Sequence, residues 1–127
     1  MEIKEFKGKT IIDIEKNFRG RDIIELIFTM NNGEKYRMYH EQDCCESVWL
    51  EDIVGNLDDL IGNPLVMAEE ETNKNKGGAL DDWDDSYTWT YYKFATIKGY
   101  VTLRWYGTSS GYYSEYVDIE KINKKGC

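Results

Sequence analysis

The chain has 127 residues, a formal charge of −8 and a pI of about 4.7. That length makes one domain and allows roughly two-thirds of the unfolded surface to be buried without help from disulfides. Hydrophobic residues at 41% and aromatics at 14% exclude a disordered chain. The acidity argues against nucleic acid or an anionic membrane as direct partner, since both select Lys and Arg.

The first 40 residues read as three antiparallel strands. Lys9–Glu15 is a short β-prone run, and Asp22–Met30 follows with Ile24, Leu26, Phe28 and Met30 on one face. Asn31, Asn32 and Gly33 tolerate positive φ and predict a tight hairpin turn. Glu34–His40 alternates, with Tyr36, Met38 and His40 pointing one way. Over Ser47–Ile61 the period changes. Val48, Leu50 (or Trp49), Ile53, Leu57, Leu60 and Ile61 recur every three to four residues, which predicts a helix interrupted at Gly55 and stopped by Gly62-Asn63-Pro64. Leu65–Glu71 predicts a strand, and the polar stretch Asn73–Asp85 a mobile loop. Ser86–Ile97 and Tyr100–Tyr106 predict a hairpin across Lys98-Gly99, and Tyr112–Ile119 a last strand after the loop Gly107–Gly111. The expected fold is therefore a single α+β domain. It would have a curled antiparallel sheet of about six to seven strands, with one or two short helices between strands three and four.

Ligand-type side chains concentrate in His40-Glu41-Gln42-Asp43-Cys44-Cys45-Glu46, which holds the only His and two of the three Cys. Zn²⁺ takes Cys, His and carboxylate ligands, so His40, Asp43, Cys44 and Cys45 are candidate ligands of a structural zinc. The usual C-x₂-C spacing is absent. Buried, inert cysteines beside a backbone-bonded His40 would read the same way. A catalytic Cys–His pair would need an oxyanion loop that the sequence does not offer. Adjacent cysteines rarely bridge each other, so no disulfide scaffold is expected, and Cys127 reads as an exposed end. No apolar run approaches the roughly 20 residues of a membrane helix, and Met1–Glu5 lacks the apolar region of a signal peptide. A cytosolic protein is expected.

Charge is unevenly spread. Residues 41–85 carry 14 acids against two lysines, Lys74 and Lys76, for a net −12, whereas the other residues carry +4. This segment reads either as a solvated face that maintains solubility or as a surface built to dock on a basic protein. Glu69, Glu70, Glu71, Asp81, Asp82, Asp84 and Asp85 are the candidate contact residues. Asp81–Asp85 lacks the spacing of a calcium loop, and Gly107–Gly111 precedes a strand, unlike a phosphate-binding loop. The aromatics Trp89, Tyr91, Trp105, Tyr112 and Tyr113 resemble a stacking platform, but read better as cross-strand packing.

The stretches YHEQDCCESVWLEDIVGNLDDLIGNP and WTYYKFATIKGYVTLRWYGTSSGYYSEYVD resemble a family of small uncharacterised proteins of phages, prophages and bacterial mobile elements, over roughly residues 36–119. That family has no assigned enzyme activity. The resemblance implies an inhibitor of host defence, an anti-CRISPR protein that binds a type II CRISPR effector nuclease and blocks target DNA loading. The positively charged channel of such effectors suits the −12 segment. The expectation is a non-enzymatic, protein-binding molecule; the alternatives are a metal-dependent hydrolase using the His40, Asp43, Cys44 and Cys45 cluster, or a phage accessory protein binding another host factor.

Overall fold

The computed structural model describes residues 1–122, so Cys127 lies outside the described residues. The described residues form eight strands: β1 (Ile11–Arg19), β2 (Asp22–Met30), β3 (Lys35–Tyr39), β4 (Ser47–Val54), β5 (Met67–Lys74), β6 (Ser86–Thr96), β7 (Gly99–Ser109) and β8 (Asp118–Ile122). Two four-residue 3₁₀ turns, η1 (Ile3–Phe6) and η2 (Leu57–Leu60), complete it. The strands form one antiparallel sheet in the order β5-β6-β7-β4-β2-β3-β8, with β1 on the other edge of β2.

The hairpins form where turn chemistry demands them. Gly33 takes φ +89 between β2 and β3, and Asn32 Oδ1 accepts the Glu34 N–H at 2.9 Å. β6 and β7 pair without interruption from Ser86↔Ser109 to Thr96↔Gly99. The sheet curls until isolated bridges Thr10↔Pro64 and Ile11↔Ile61 join the start of β1 to the segment before β5. Phe6 plugs the curl, its ring centroid 5.7 Å from Phe28, 5.1 Å from Tyr36 and 6.4 Å from Phe94. It is fully buried, worth roughly 2–3 kcal/mol.

The α+β expectation is overturned: the fold is all-β among the described residues, and no α-helix occupies Ser47–Ile61. The reason is a bulge. The register of β4 against β7 shifts between Leu50 and Asp52, so Glu51 is an extra residue. Val48 and Leu50 face the core, then Glu51 and Asp52 both lie exposed before Ile53 returns inward. The inward spacing 48, 50, 53 therefore imitates a helical face.

Two further expectations change. Residues 110–117 are not a strand; they fold back over the inward face of β7, and β8 follows only at Asp118. Gly107 makes this possible, because a Cβ there would collide with the Glu115 carbonyl oxygen. The expected loop at Asn73–Asp85 begins later, since β5 runs to Lys74.

Candidate partner-binding site

At one end of the sheet the chain between β3 and β4 wraps around a buried carboxylate. The Glu46 side chain is 0% exposed and that of His40 3%. His40 Nε2 lies 2.6 Å from Glu46 Oε2, and His40 Nδ1 lies 2.8 Å from the carbonyl oxygen of Tyr116. Both ring nitrogens thus face oxygen atoms, one of a side chain and one of the backbone. The backbone N–H groups of Asp43 and Cys44 also donate to Glu46, at 2.8 and 2.9 Å. Burial alone would push the Glu46 carboxyl up; the bonds from His40, Asp43 and Cys44 outweigh it and hold the pKa at about 2.

This arrangement separates the four residues expected to hold zinc. His40 turns inward to Glu46, while Asp43, Cys44 and Cys45 lie exposed on the turn. Cys44 and Cys45 are bonded to each other, contrary to the expectation that adjacent cysteines stay apart. Among the described residues no group of three or more His, Cys, Asp or Glu side chains is placed to hold a metal ion. The sequence reading missed Glu46 as the centre of this turn, because nothing local distinguishes it from its exposed acidic neighbours.

A second buried carboxylate, Glu115, sits against Gly107 and accepts from Thr88 Oγ1 at 2.7 Å and Ser109 Oγ at 2.5 Å. Together Glu46 and Glu115 tie the 40–46 turn and the 110–117 segment to the inside of the sheet.

On the opposite, outward face, β4, β6 and β7 carry a separate aromatic cluster. Tyr106 packs against Trp49, Tyr87 and Trp89, with ring centroids 5.3, 6.0 and 4.7 Å away. The aromatics expected to pack across strands are divided: Trp89 lies on this face, Trp105 is in the core with its indole N–H 3.2 Å from Met38 Sδ, and Tyr112 is exposed. The outward cluster pins the acidic loop. Trp89 Nε1 donates to the Gly78 carbonyl at 2.9 Å, Leu80 N–H donates to the Tyr106 hydroxyl at 3.1 Å, and that hydroxyl donates to Asp84 at 2.5 Å. Asn75 exchanges two bonds with the Tyr87 backbone, at 2.7 and 3.0 Å.

The pinned loop therefore holds Asp81, Asp82 and Asp85 out to solvent, with Trp83 between them 88% exposed. Trp83 was legible as an apolar residue interrupting a run of acids, a signal the sequence reading did not use. A cleft of about 240 Å³ separates this loop from the cysteine turn, lined by Cys45, Ser47, Trp83, Asp85 and Ser110. The other acids go elsewhere. Glu69, Glu70 and Glu71 lie exposed on the edge strand β5, where Glu71 pairs with Lys93 at 3.0 Å. Strand alternation puts Glu70 on the face opposite Glu69 and Glu71, so the seven candidate residues do not form one patch.

Residues 4–119 match the family described as Domain of unknown function (DUF7448). The chain belongs to the DUF7448 family. No curated protein and no solved structure matches it. The DUF7448 match begins within η1 and ends within β8, so the buried His40–Glu46 pair and the pinned acidic loop both belong to the family's domain. Among the described residues of this DUF7448 chain no helix is long and apolar enough to cross a membrane.

Proposed function

We propose that this protein acts by binding rather than catalysis, presenting the Asp81–Asp85 loop to a basic surface on a protein partner. The observation that carries the reading is the pinned loop itself. Three exposed aspartates flank an exposed tryptophan, on a backbone fixed by Tyr106 and Trp89. A pre-ordered acidic loop loses little conformational entropy on docking, its charge raises the association rate, and Trp is the side chain most often found as a binding anchor. The buried His40–Glu46 pair gives no support to the hydrolase alternative, since both ring nitrogens are committed and closed off from solvent.

In its most specific form the partner is a type II CRISPR effector nuclease, with the loop competing for the positively charged channel that receives the guide–target duplex. A phage or mobile-element origin would fit that role; the support is charge complementarity and the family resemblance. The test is target-DNA binding by a guide-loaded type II effector, with and without a stoichiometric amount of the protein. Loss of DNA binding, restored by Asp81→Asn/Asp82→Asn/Asp85→Asn, is the expected result. Full DNA binding across several effectors would leave a different basic partner to be sought. Asp84 is left out of the substitution because it anchors Tyr106.

A further inference from the structure

A cleft of about 800 Å³ opens beside β1. At its closed end the sheet is joined to the chain after η2: Ile11 bridges Ile61, and the Ile11 carbonyl accepts the Gly62 N–H at 2.8 Å. Beyond Ile11 the two walls separate. One wall is β1, which among the described residues pairs as a strand with β2 alone, and the other is the turn from β4 into η2. Ile14, Ile53, Leu57 and Ile61 line the cleft, each only half-buried against the core.

The free edge of β1 carries its own hydrogen-bonding groups. The Met30 N–H donates to the Glu34 carbonyl at 2.8 Å, so Met30, Phe28 and Leu26 direct their backbone groups toward β3. Ile14 stands opposite Phe28 and Lys16 opposite Leu26, so the N–H and C=O of Ile14 and Lys16 point away from β2, toward the open edge. Side chains alternate between the faces. Ile14 and Lys16 share the cleft face, while Asp13, at the rim, and Glu15 take the outer face, both exposed and among the described residues without an ion pair. Lys16 and Asp58 both line the cleft and offset each other, and Arg19, farther along β1, stands opposite Asp22. The uncompensated charge of this edge is therefore that of Asp13 and Glu15.

A second copy does not fit. Antiparallel self-pairing has to bring the outward groups of Ile14 and Lys16 together, and each register that does so opposes like charges: Glu15 to Glu15, Lys16 to Lys16, or Asp13 to Glu15. We propose that the β1 edge accepts an extended segment of another protein as an added antiparallel strand, one in which basic residues alternate with β-branched apolar ones. The basic side chains stand opposite Asp13 and Glu15, and the apolar ones cover Ile14, Ile53 and Leu57. Main-chain bonds to Ile14 and Lys16 supply the affinity and the alternate side chains the selectivity. The charges that keep two copies of the edge apart are thus the ones that admit a basic strand.

The test is a titration of the intact ¹⁵N-labelled protein with acetyl-Thr-Val-Lys-Val-Lys-Thr-amide, following backbone amide shifts by NMR. Saturable shifts centred on Ile14 and Lys16 are expected, with slowed solvent exchange of those two amides. Backbone N-methylation of the two peptide valines, whose N–H groups would meet Ile14 and Lys16, is expected to abolish binding, whereas N-methylation of the two lysines leaves it intact. Asp13→Lys/Glu15→Lys is expected to weaken binding about tenfold and to take up acetyl-Thr-Val-Glu-Val-Glu-Thr-amide instead. Both residues are exposed, so the exchange does not threaten folding. Shifts confined to Asp81–Asp85, equal loss with both methylation patterns, or unchanged binding by Asp13→Lys/Glu15→Lys overturns the proposal. Sedimentation of the free protein is expected to give a monomer; a dimer that Asp13→Lys/Glu15→Lys dissociates would assign the edge to a second copy and overturn it as well. The Asp81–Asp85 loop is unaltered in every variant, so the outcome is independent of the role assigned to that loop.

Discussion

The 40–46 turn and the 75–85 loop are similar in composition, both acidic and both bordering the same cleft, yet they are built in opposite senses. The turn folds inward around one carboxylate, and Glu46 collects an imidazole and two backbone N–H groups. The loop is anchored by neutral aromatics on the outward face and directs its charges to solvent. Acidic composition by itself therefore says nothing about role. What separates a structural carboxylate from a contact residue is whether the fold supplies donors for it or leaves them to a partner.

The largest expected effect tests the inward half. Glu46→Ala strands His40 and the Asp43 and Cys44 N–H groups in a buried site, at a cost of about 3–5 kcal/mol. Urea denaturation at neutral pH measures it, and a loss below about 1 kcal/mol would mean that the turn does not depend on Glu46. Next comes Gly107→Ala. The added Cβ meets Glu115 backbone, and overpacking of this kind costs about 1–3 kcal/mol. Its thermal melt should fall by several degrees, and an unchanged melt would show that the 110–117 segment does not need the close approach at Gly107.

Acid separates the two regions without mutation. The folded pKa of Glu46, about 2, lies below its usual 4.5. Its contribution to stability is thus complete above pH 4.5 and is lost as the pH falls toward 2. Melting temperatures measured from pH 7 downward should hold and then drop through that window. Glu46→Gln should flatten the drop; an unchanged slope would show that other carboxylates govern acid unfolding. Half-buried Glu34, also held at about 2 by bonds from Lys121, Asn32 and Tyr36, titrates in the same window, so Glu34→Gln is the companion control.

The smallest effects belong to the outward half. Asp81→Asn/Asp82→Asn/Asp85→Asn should change stability by no more than about 0.5 kcal/mol per site while reducing the salt dependence of partner association. Cys44→Ser/Cys45→Ser should be as mild. Both residues are exposed, and a bond between neighbours closes too short a loop to remove much chain entropy. A reduced and an oxidised sample should therefore melt within a few degrees of each other, and a larger gap would make the turn a redox element.

The hairpins were legible from local chemistry. Asn31–Gly33 and Lys98-Gly99 bend where they should, and the alternation in β2, β3, β6 and β7 depends only on neighbours two residues apart. β4 was hidden because a single extra residue, Glu51, converts a strand's period into a helix's, and a bulge is defined by the partner strand rather than by the segment itself. The site divided in the same way. The acidity of 41–85 and the exposed tryptophan within it are written in the chain, but which carboxylates are buried is not. Glu46 is satisfied by His40, which is braced in turn by Tyr116, and Glu115 is satisfied by Thr88 and Ser109. Only the tertiary structure could decide between burial and exposure, because a charge is buried when donors from distant strands converge on it, and that convergence is a property of the curled sheet rather than of any local pattern.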